Sequence, residues 1–487
     1  MIRRSIFLAA LAACLSCSQI MKSDAEITID ANVKTSTDYI GNGVQWDPYI
    51  LDYGTGQVEI SEEDWQKIYN RLDYMRPGFI RMVLNTRDVT IDGKYNPEAG
   101  LDHITHLLDY CQAKRITVMF GDWGWGLVDA KEGTLNKELL RHAAEYADFL
   151  INQKGYSCIK YYNLINEPNG YWASTECSYE LWAEAVKYFW EQIEDLGLDD
   201  QIKMAAPDVA IWSAEETWWI DNSIRDFGPN VGVYDIHTYP SKCTVNSGEY
   251  GEIIKAYKER VPSGMPIVMG EIGLKFVEEA DSAYLAENNR RIAKLPHASR
   301  TDSQMFVYEH IYGTDMADAV FQTANAGYSG CIAWMLDDAM HTNEAPDKLK
   351  IWGFWNIFGE EMFGAEHEAV RPWFYAWSLL CRYIPAGSDI YSVSVSGKEG
   401  IKALASIHEG AKTFAVVNVS KEPATVSVAS KGFGAMSKAQ KYIYGDGLYK
   451  TEGDHTMLPA ELDVNLNLDK GETFEIPAEC MILWTEK

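Results

Sequence analysis

The chain has 487 residues, of which 47% are hydrophobic and 23% are charged, as in ordinary globular proteins of two or three domains. The formal net charge is −28 at pH 7, and the sequence has no long basic run. This balance argues against nucleic acid as a partner and against electrostatic attachment to anionic lipid.

The N-terminus reads MIRRSIFLAALAACLSCSQ, in which two arginines precede an apolar run. The run has the length of a signal-peptide core and is too short to span a bilayer. The following LAAC and LSC resemble a bacterial lipobox, whose cysteine becomes lipidated and is then the first mature residue. The resemblance implies a lipoprotein signal peptide over residues 1–17, with lipidation at Cys14, which fits best, or at Cys17. We therefore expect an exported protein held to the outer membrane only by N-terminal lipid, on its periplasmic or cell-surface face.

Residues 37–384 alternate between apolar strand-like runs and helix-like segments. The predicted strands are YIGNGVQWDPY, FIRMVLN, ITVMFGDWGWG, IKYYNLINEP, IKMAAPDVA, VGVYDIHTYP, MPIVMGEIG and GCIAWMLDD. Eight apolar strands separated by helices predict a parallel sheet covered on both faces, and eight strands over this length suit a closed (β/α)₈ TIM barrel. An open doubly wound sheet is the alternative, but no glycine-rich phosphate loop follows the first strand.

The pattern changes in residues 385–487, where short alternating β-branched segments such as DIYSVSVSG, KTFAVVNVS and CMILWTEK are separated by turns. This pattern predicts a smaller antiparallel β-sandwich domain. The early segment 26–36 is also strand-like and is a candidate member of that sandwich. The longest predicted insertion in the barrel is 275–320, which we expect to form a lid or a wall of the substrate site.

In a barrel of this kind the active site lies at the C-terminal ends of the strands, so the residues there are the candidates. They are Trp46, Arg81, Asp122, Trp123, Trp125, Asn166, Glu167, Asp208, His237, Tyr239, Glu271, Trp334, Asp337 and Asp338.

Glu167 and Glu271 would face each other across the mouth of the barrel. Glycosidic cleavage requires such a pair, because one carboxylic acid protonates the leaving oxygen while a carboxylate attacks or stabilises the sugar carbon. Two nearby carboxylates in unequal surroundings can supply these two protonation states.

The order of these motifs resembles clan A of the glycoside hydrolases, barrel enzymes with an acid/base glutamate after strand four and a nucleophile glutamate after strand seven. The resemblance covers residues 41–383, and the trailing sandwich is similar to that of families 39, 30 and 51; family 5 also shares the barrel motifs. It implies that Glu167 is the acid/base, that Glu271 is the nucleophile, and that Asn166 binds the sugar 2-hydroxyl. The implied reaction is retaining hydrolysis of β-linked oligosaccharides or polysaccharides.

The same resemblance implies roles for the residues around the glutamates. Arg81 is the ion partner of Glu271, His237 and Tyr239 line the site and orient the nucleophile, and Trp334 is the floor of the sugar subsite. Trp46 and Trp123 are further predicted substrate-binding residues, since ring faces stack on sugars. We expect neither a catalytic metal nor a cofactor.

Structural interpretations remain open for several of these residues. Arg81 could form an ion pair at the barrel bottom, His237 could be a core histidine, and Trp123 and Trp125 could belong to the core. Asp208 is interpreted as a structural residue or as a partner that supports the site residues. For Asp337, Asp338 and His341, a solvated loop is favoured over contact with sugar hydroxyls.

Two other functions also remain open. The chain could be a lipid-anchored carbohydrate-binding protein on a barrel scaffold, or an inverting hydrolase with its carboxylates farther apart.

Overall fold

The computed structural model describes residues 23–37, 39–49, 52–53, 56–57 and 59–487. The predicted signal peptide and both candidate lipidation sites, Cys14 and Cys17, lie outside the described residues. Within the described part of the chain, none of the helices is long and apolar enough to cross a membrane.

A closed barrel of eight parallel strands forms the larger domain, as predicted. In chain order, barrel strands one to eight are Gly43–Gln45, Phe79–Leu84, Thr117–Asp122, Ile159–Asn163, Lys203–Ala210, Val231–Thr238, Ile267–Ile272 and Cys331–Ala333. Strand eight closes on strand one, where Ile332 pairs with Gly43. The strands are almost wholly buried because helices cover the outer face and side chains fill the interior.

Helices alternate with the barrel strands. They are α1 Glu62–Met75, α2 Leu101–Lys114, α3 Lys137–Asp148, α4 Tyr179–Asp195, α5 Trp218–Phe227, α6 Lys242–Ser247, α7 Glu249–Lys258, α8 Glu278–Ile292, α9 His310–Asn325, α10 Ala365–Glu368 and α11 Trp373–Tyr383. Short 3₁₀ turns lie at Thr86–Asp88, Met305–Tyr308 and Asp338–Met340, and π turns at Phe149–Gln153 and Gly359–Phe363. Helix α1 begins at an N-cap serine, since the Ser61 hydroxyl accepts the Asp64 backbone N–H at 3.2 Å.

The second domain is a nine-stranded, mostly antiparallel sheet. Its strands, in hydrogen-bonding order, are Glu461–Asn467, Ala435–Tyr444, Cys480–Thr485, Ala411–Asn418, Ile401–His408, Asp389–Gly397, Ala25–Ser36, Ala424–Lys431 and Glu472–Ile476. The sheet folds over on itself, so that Phe474 in one edge strand lies 4.8 Å, between ring centroids, from Trp484 near the other edge. It thereby encloses its own apolar core in the manner of a sandwich. Ala25–Ser36 lies in this sheet, beside Asp389–Gly397 and Ala424–Lys431.

Helix α9 joins the two domains. Each of its residues from 312 to 324 is buried. Its end is tied to the sheet by Asn325, whose side chain donates to the Ala403 carbonyl at 2.9 Å, and its start by Tyr444, whose hydroxyl donates to the His310 carbonyl at 2.8 Å. Short two-stranded ribbons lie outside both sheets. In the described part of the chain there are five, at Asp52–Tyr53 with Gly56–Gln57, Thr90–Ile91 with Lys94–Tyr95, Val128–Asp129 with Thr134–Leu135, Thr342–Asn343 with Ala345–Leu349, and Thr451–Glu452 with Thr456–Met457.

Candidate active site

Arg81 is the centre of a buried polar cluster at the C-terminal mouth of the barrel. Its side chain is 0% exposed. Nη1 donates to Gln45 Oε1 at 2.9 Å and to Glu271 Oε2 at 3.2 Å, and Nη2 donates to Asn166 Oδ1 at 2.7 Å and to Asp208 Oδ2 at 3.1 Å. Burial alone would lower the pKa of Arg81, but the Asp208 and Glu271 carboxylates outweigh it and raise this pKa. The guanidinium is thus a fixed positive charge that joins the ends of four strands at the barrel mouth. It is not an isolated ion pair at the bottom of the barrel.

The two candidate glutamates meet at one histidine. His237 Nδ1 lies 3.2 Å from Glu167 Oε1 and 3.7 Å from Glu271 Oε2. One oxygen of each carboxylate and the ring nitrogen all lie within 4.8 Å of one another. Glu167 is 9% and Glu271 5% exposed. The structure therefore brings both carboxylates to a single, nearly buried position.

His237 is held from behind by Asp208. Its Nε2 lies 3.0 Å from Asp208 Oδ1. Burial and Arg81 both lower the pKa of His237, but the Asp208 and Glu271 carboxylates outweigh them and raise it well above its usual value. A raised pKa favours the protonated imidazole, in which both nitrogens are donors. Asp208 thus supports the site from behind, in line with its structural interpretation.

Glu167 has an unusual backbone conformation, with a φ of 46°, and Asp208 behind it has a φ of 60°. Residues that have a Cβ rarely adopt this left-handed backbone conformation, and the backbone strain that it causes is concentrated at functional sites. The Glu167 N–H donates to the Asp208 carbonyl at 3.0 Å. At the other end of the side chain, Trp172 Nε1 donates to Glu167 Oε2 at 2.8 Å. Glu167 is therefore positioned at both its backbone and its carboxylate.

Glu271 is surrounded by donors. The Tyr239 hydroxyl donates to Oε1, and Arg81 donates to Oε2. Burial raises the pKa of Glu271 and the nearby Glu167 adds to this rise, whereas His237, Arg81 and the Tyr239 hydrogen bond act in the opposite direction. The net effect places the pKa of Glu271 above its usual value.

Gly273 makes room for Tyr239. A Cβ at this glycine would lie 2.9 Å from Tyr239 Cε1. Trp352 packs edge-on against Tyr239, with ring centroids 5.4 Å apart, and its indole donates to Asp302 Oδ1 at 2.9 Å. Asp302 lies in the predicted insertion 275–320, which therefore reaches the wall of the site.

Asp235 is a buried carboxyl group that the sequence did not single out. It is 0% exposed, and within the described residues neither of its oxygens has a hydrogen-bond partner. Its Oδ2 is 3.9 Å from His237 Nε2, and a Cβ at Gly270 would fall 2.0 Å from its Oδ1. Burial raises the pKa of Asp235 to about 7. The sequence DIH could have indicated Asp235, because residues two positions apart in a strand point to the same face, and Asp235 therefore shares the face of His237.

Trp123 and Trp334 lie together at the mouth. Their rings meet edge to face with centroids 6.3 Å apart, and His341 stacks on Trp334 at 5.2 Å. Trp334 is only 4% exposed, whereas Trp123 is half-buried and borders a cavity of about 490 Å³. This cavity lies over strands one to three and the segment after strand eight, with a lining that includes Asp47, Asn85, His103 and His341. Trp125 is 44% exposed and is therefore a surface residue rather than a core residue.

The structure overturns the prediction that Trp46 binds substrate. Its ring is 0% exposed and packs edge-on against Tyr110 of α2, with centroids 5.8 Å apart. The preceding residue, Gln45, points into the barrel and accepts from Arg81. Since adjacent residues of a strand face opposite sides, Trp46 must point outward to the helices. Gln45 is the site residue that the sequence reasoning missed.

The prediction of a solvated loop at Asp337 and Asp338 is also wrong. Both are 0% exposed. Asp337 accepts from Trp355 Nε1 at 2.8 Å, and Asp338 accepts from Arg371 Nη1 at 3.1 Å. These buried acids fix the segment after strand eight. Asp122 is likewise buried and caps backbone N–H groups of Thr86 and Gly124, both at 2.6 Å.

Two groups of side chains have metal-ligand spacing, Glu167 with His237 and Glu271, and Asp208 with Asp235 and His237. Arg81 donates to Glu271 and Asp208, one member of each group. Its guanidinium already supplies a positive charge beside both groups. The arrangement suits acid–base and nucleophilic chemistry by carboxylates.

No protein-family model matches the sequence, and no curated protein matches it. The fold, however, resembles many solved structures. The family 51 α-L-arabinofuranosidase AbfB from Bifidobacterium longum has a TM-score of 0.64 at 13% identity, with 95% of this chain and 99% of that chain covered. The family 30 subfamily 8 xylanase Xyn30A from Clostridium acetobutylicum has a TM-score of 0.61 at 12% identity, with 94% and 99% covered. The family 39 enzyme from Xanthomonas axonopodis pv. citri has a TM-score of 0.59 at 12% identity, with 97% and 99% covered. The chain thus has the two-domain fold of clan A glycoside hydrolases from families 30, 39 and 51.

Proposed function

We propose that this protein is a retaining glycoside hydrolase that cleaves β-linked glycans by double displacement. The observation that carries the proposal is the approach of Glu167 and Glu271, whose nearest carboxylate oxygens lie within 4.8 Å of each other. Carboxyl groups of retaining enzymes are about 5–5.5 Å apart, and those of inverting enzymes about 6.5–9.5 Å apart to admit a water molecule. The short separation favours direct attack by a carboxylate over an inverting reaction.

The surroundings of the two glutamates favour different roles. Glu271 receives hydrogen bonds from Arg81 and Tyr239, one on each oxygen, which stabilise its ionised form as a nucleophile. Glu167 follows the end of strand four and is contacted by Trp172 and His237, so that it is free of the two donors that hold Glu271. This division matches the roles implied by the sequence resemblance.

The reaction then has two steps. Glu271 attacks the anomeric carbon, the glycosidic bond breaks, and Glu167 gives its proton to the leaving oxygen, which leaves a covalent glycosyl–enzyme. In the second step Glu167 takes a proton from water, the water oxygen attacks the same carbon, and the Glu271 ester bond breaks. Both residues end in their starting protonation states.

A panel of aryl glycosides tests the proposed activity. We expect the full chain to release 4-nitrophenol from at least one of the β-D-xyloside, β-D-glucoside and β-D-galactoside, the xyloside being chosen because solved structures of the same fold include xylanases. Binding of soluble polysaccharide without release of 4-nitrophenol or reducing sugar would instead support the carbohydrate-binding protein on a barrel scaffold.

Tyr239→Phe should move the acidic limb of the pH profile of kcat/KM to higher pH. The lost hydroxyl donates to Glu271 and lowers its pKa, so the carboxylate of the variant will take up a proton at a higher pH. Activity that requires ionised Glu271 is present above this pKa and is lost as the pH falls through it. Arg81, His237 and Glu167, which also face Glu271, are unchanged in this variant.

Tyr156→Phe is the matched control for this experiment. Its hydroxyl also donates to a carboxylate, Asp109 Oδ1 at 2.8 Å, but outside the barrel mouth. The control should keep the parental acidic limb. An unshifted limb in Tyr239→Phe would contradict the assignment of that limb to Glu271.

A further inference from the structure

Exposed aromatic rings gather beside Glu167. Tyr171 is 81% exposed, Trp172 37%, Trp212 55% and Trp218 48%. Tyr171 and Trp172 lie in the loop after barrel strand four, Trp212 lies in the loop after strand five, and Trp218 is the first residue of α5. We call these four side chains the aromatic platform. Large apolar side chains exposed next to one another mark a binding surface, because water is released when a ligand covers them.

The platform is continuous. Tyr171 and Trp172 have ring centroids 4.9 Å apart, and Trp172 and Trp212 have centroids 6.0 Å apart at an interplanar angle of 88°. Trp212 and Trp218 line one cavity of about 190 Å³. The rings therefore form a row that runs outward from the barrel mouth across two adjacent loops.

The row is anchored to Glu167 through Trp172, which lies between Tyr171 and Trp212. The Trp172 indole donates to Glu167 Oε2 at 2.8 Å, so this ring cannot turn away without losing a buried hydrogen bond. Gly170 provides the room, since a Cβ there would lie 2.3 Å from Trp172 Cε2. The platform is thus an extension of the site. It is held to the carboxyl group of Glu167, which protonates the leaving oxygen in the proposed mechanism.

The position of the platform around the barrel indicates which part of the substrate it contacts. Strands four and five lie beside each other, whereas the cavity bordered by Trp123 lies over strands one to three, which follow strand four around the barrel in the direction away from strand five. A sugar attacked by Glu271 departs from its leaving group at Glu167. The platform contacts Glu167 through Trp172 and is therefore on the side of the leaving group.

We propose that the aromatic platform binds the leaving part of an extended sugar chain, so that an oligosaccharide or polysaccharide is a better substrate than a simple glycoside. Indole and phenol faces suit the apolar faces of pyranose rings. The lining of the cavity between Trp212 and Trp218 contains Glu216 and neither lysine nor arginine, which favours uncharged sugars over acidic ones. This inference rests on the proposed glycosidase function and adds its substrate class.

Paired substrates test the platform. For each aryl glycoside that the full chain cleaves, kcat/KM is compared with that for the tetrasaccharide of the same sugar, such as 4-nitrophenyl β-xyloside with xylotetraose or the β-glucoside with cellotetraose. Trp212→Ala and Trp218→Ala should each lower kcat/KM for the tetrasaccharide about tenfold more than for the aryl glycoside, since one stacked ring contributes roughly this factor. Leu462→Ala, which alters a 65% exposed side chain on the sheet domain, should preserve the ratio.

A binding measurement separates the platform from catalysis. In native gels that contain soluble arabinoxylan or hydroxyethyl cellulose, the full-length Glu271→Gln variant should be retarded, and addition of Trp212→Ala should reduce the retardation. The platform proposal would be overturned if Trp212→Ala and Trp218→Ala lowered kcat/KM equally for the tetrasaccharide and the aryl glycoside. It would also be overturned if neither polysaccharide retarded the Glu271→Gln variant. Retardation that depends on Trp212 in a chain that cleaves no glycoside would overturn the proposed activity and leave the platform standing.

Discussion

Glu271→Ala should reduce turnover of every glycoside substrate by more than about 10⁴-fold, as expected when the nucleophile of a covalent mechanism is removed. Without this carboxylate the covalent intermediate cannot form. The fold should survive, because Arg81 keeps its hydrogen bonds to Asp208, Asn166 and Gln45. Steady-state kinetics together with thermal unfolding measure the two effects separately.

Glu368→Gln is the matched control for the nucleophile. Glu368 is also a buried, ion-paired glutamate, with Lys67 Nζ at 2.7 Å from Oε1, but it lies away from the cluster around Arg81. Its variant should retain turnover. Full activity in Glu271→Ala would remove the nucleophile role from this residue.

The stereochemistry of the first product is an independent test of Glu271. Two successive displacements at one carbon return the original anomeric configuration, whereas a single displacement by water inverts it. Proton NMR early in the reaction, before mutarotation, should show the same anomer as in the substrate. An inverted first product would mean that water attacks directly, and the short approach of the two carboxylates would then need another explanation.

The barrel and its two glutamates were predictable because their signals are local. Each apolar run ends in a polar residue, and a closed parallel barrel brings all such ends to one mouth whatever lies between them. Glu167, Glu271, Arg81 and His237 therefore meet without any knowledge of the loops. Trp46 failed for a different reason. Strand one has only three residues, too few to show an alternation that would decide whether Gln45 or Trp46 faces inward.

The remaining site features depend on pairings between distant segments. Asp337 and Asp338 look like loop residues in the sequence, and their partners Trp355 and Arg371 follow only after the loop closes. The platform likewise depends on the approach of two loops, those of Trp172 and Trp212, whose conformations no periodicity encodes. Hydrophobic pattern determines which residues reach the mouth, whereas loop packing determines what surrounds it.

Glu167→Ala should separate substrates according to their leaving groups. A sugar leaving group needs a proton, so its release should slow by about 10²–10⁴-fold, the usual contribution of general acid catalysis. A 2,4-dinitrophenyl glycoside leaves without protonation, so the glycosyl–enzyme should still form and then accumulate, because water lacks its base. Kinetics with both substrates, preceded by a burst measurement on the second, show the difference. Glu176→Ala, an exposed glutamate in the same loop, should behave like the parent on both substrates.

Added azide should then restore the second step of Glu167→Ala with the activated substrate. The space left by the Glu167 carboxylate is bordered by two donors, the Trp172 indole N–H and His237 Nδ1, which the missing side chain leaves without their acceptor. Such a position favours a small anion, and azide needs no base before it attacks the anomeric carbon. The product should be a glycosyl azide with the anomeric configuration of the substrate, detectable by mass spectrometry and NMR. If azide has no effect and the activated and unactivated substrates slow equally, Glu167 acts in positioning alone and the acid/base role must belong to another group.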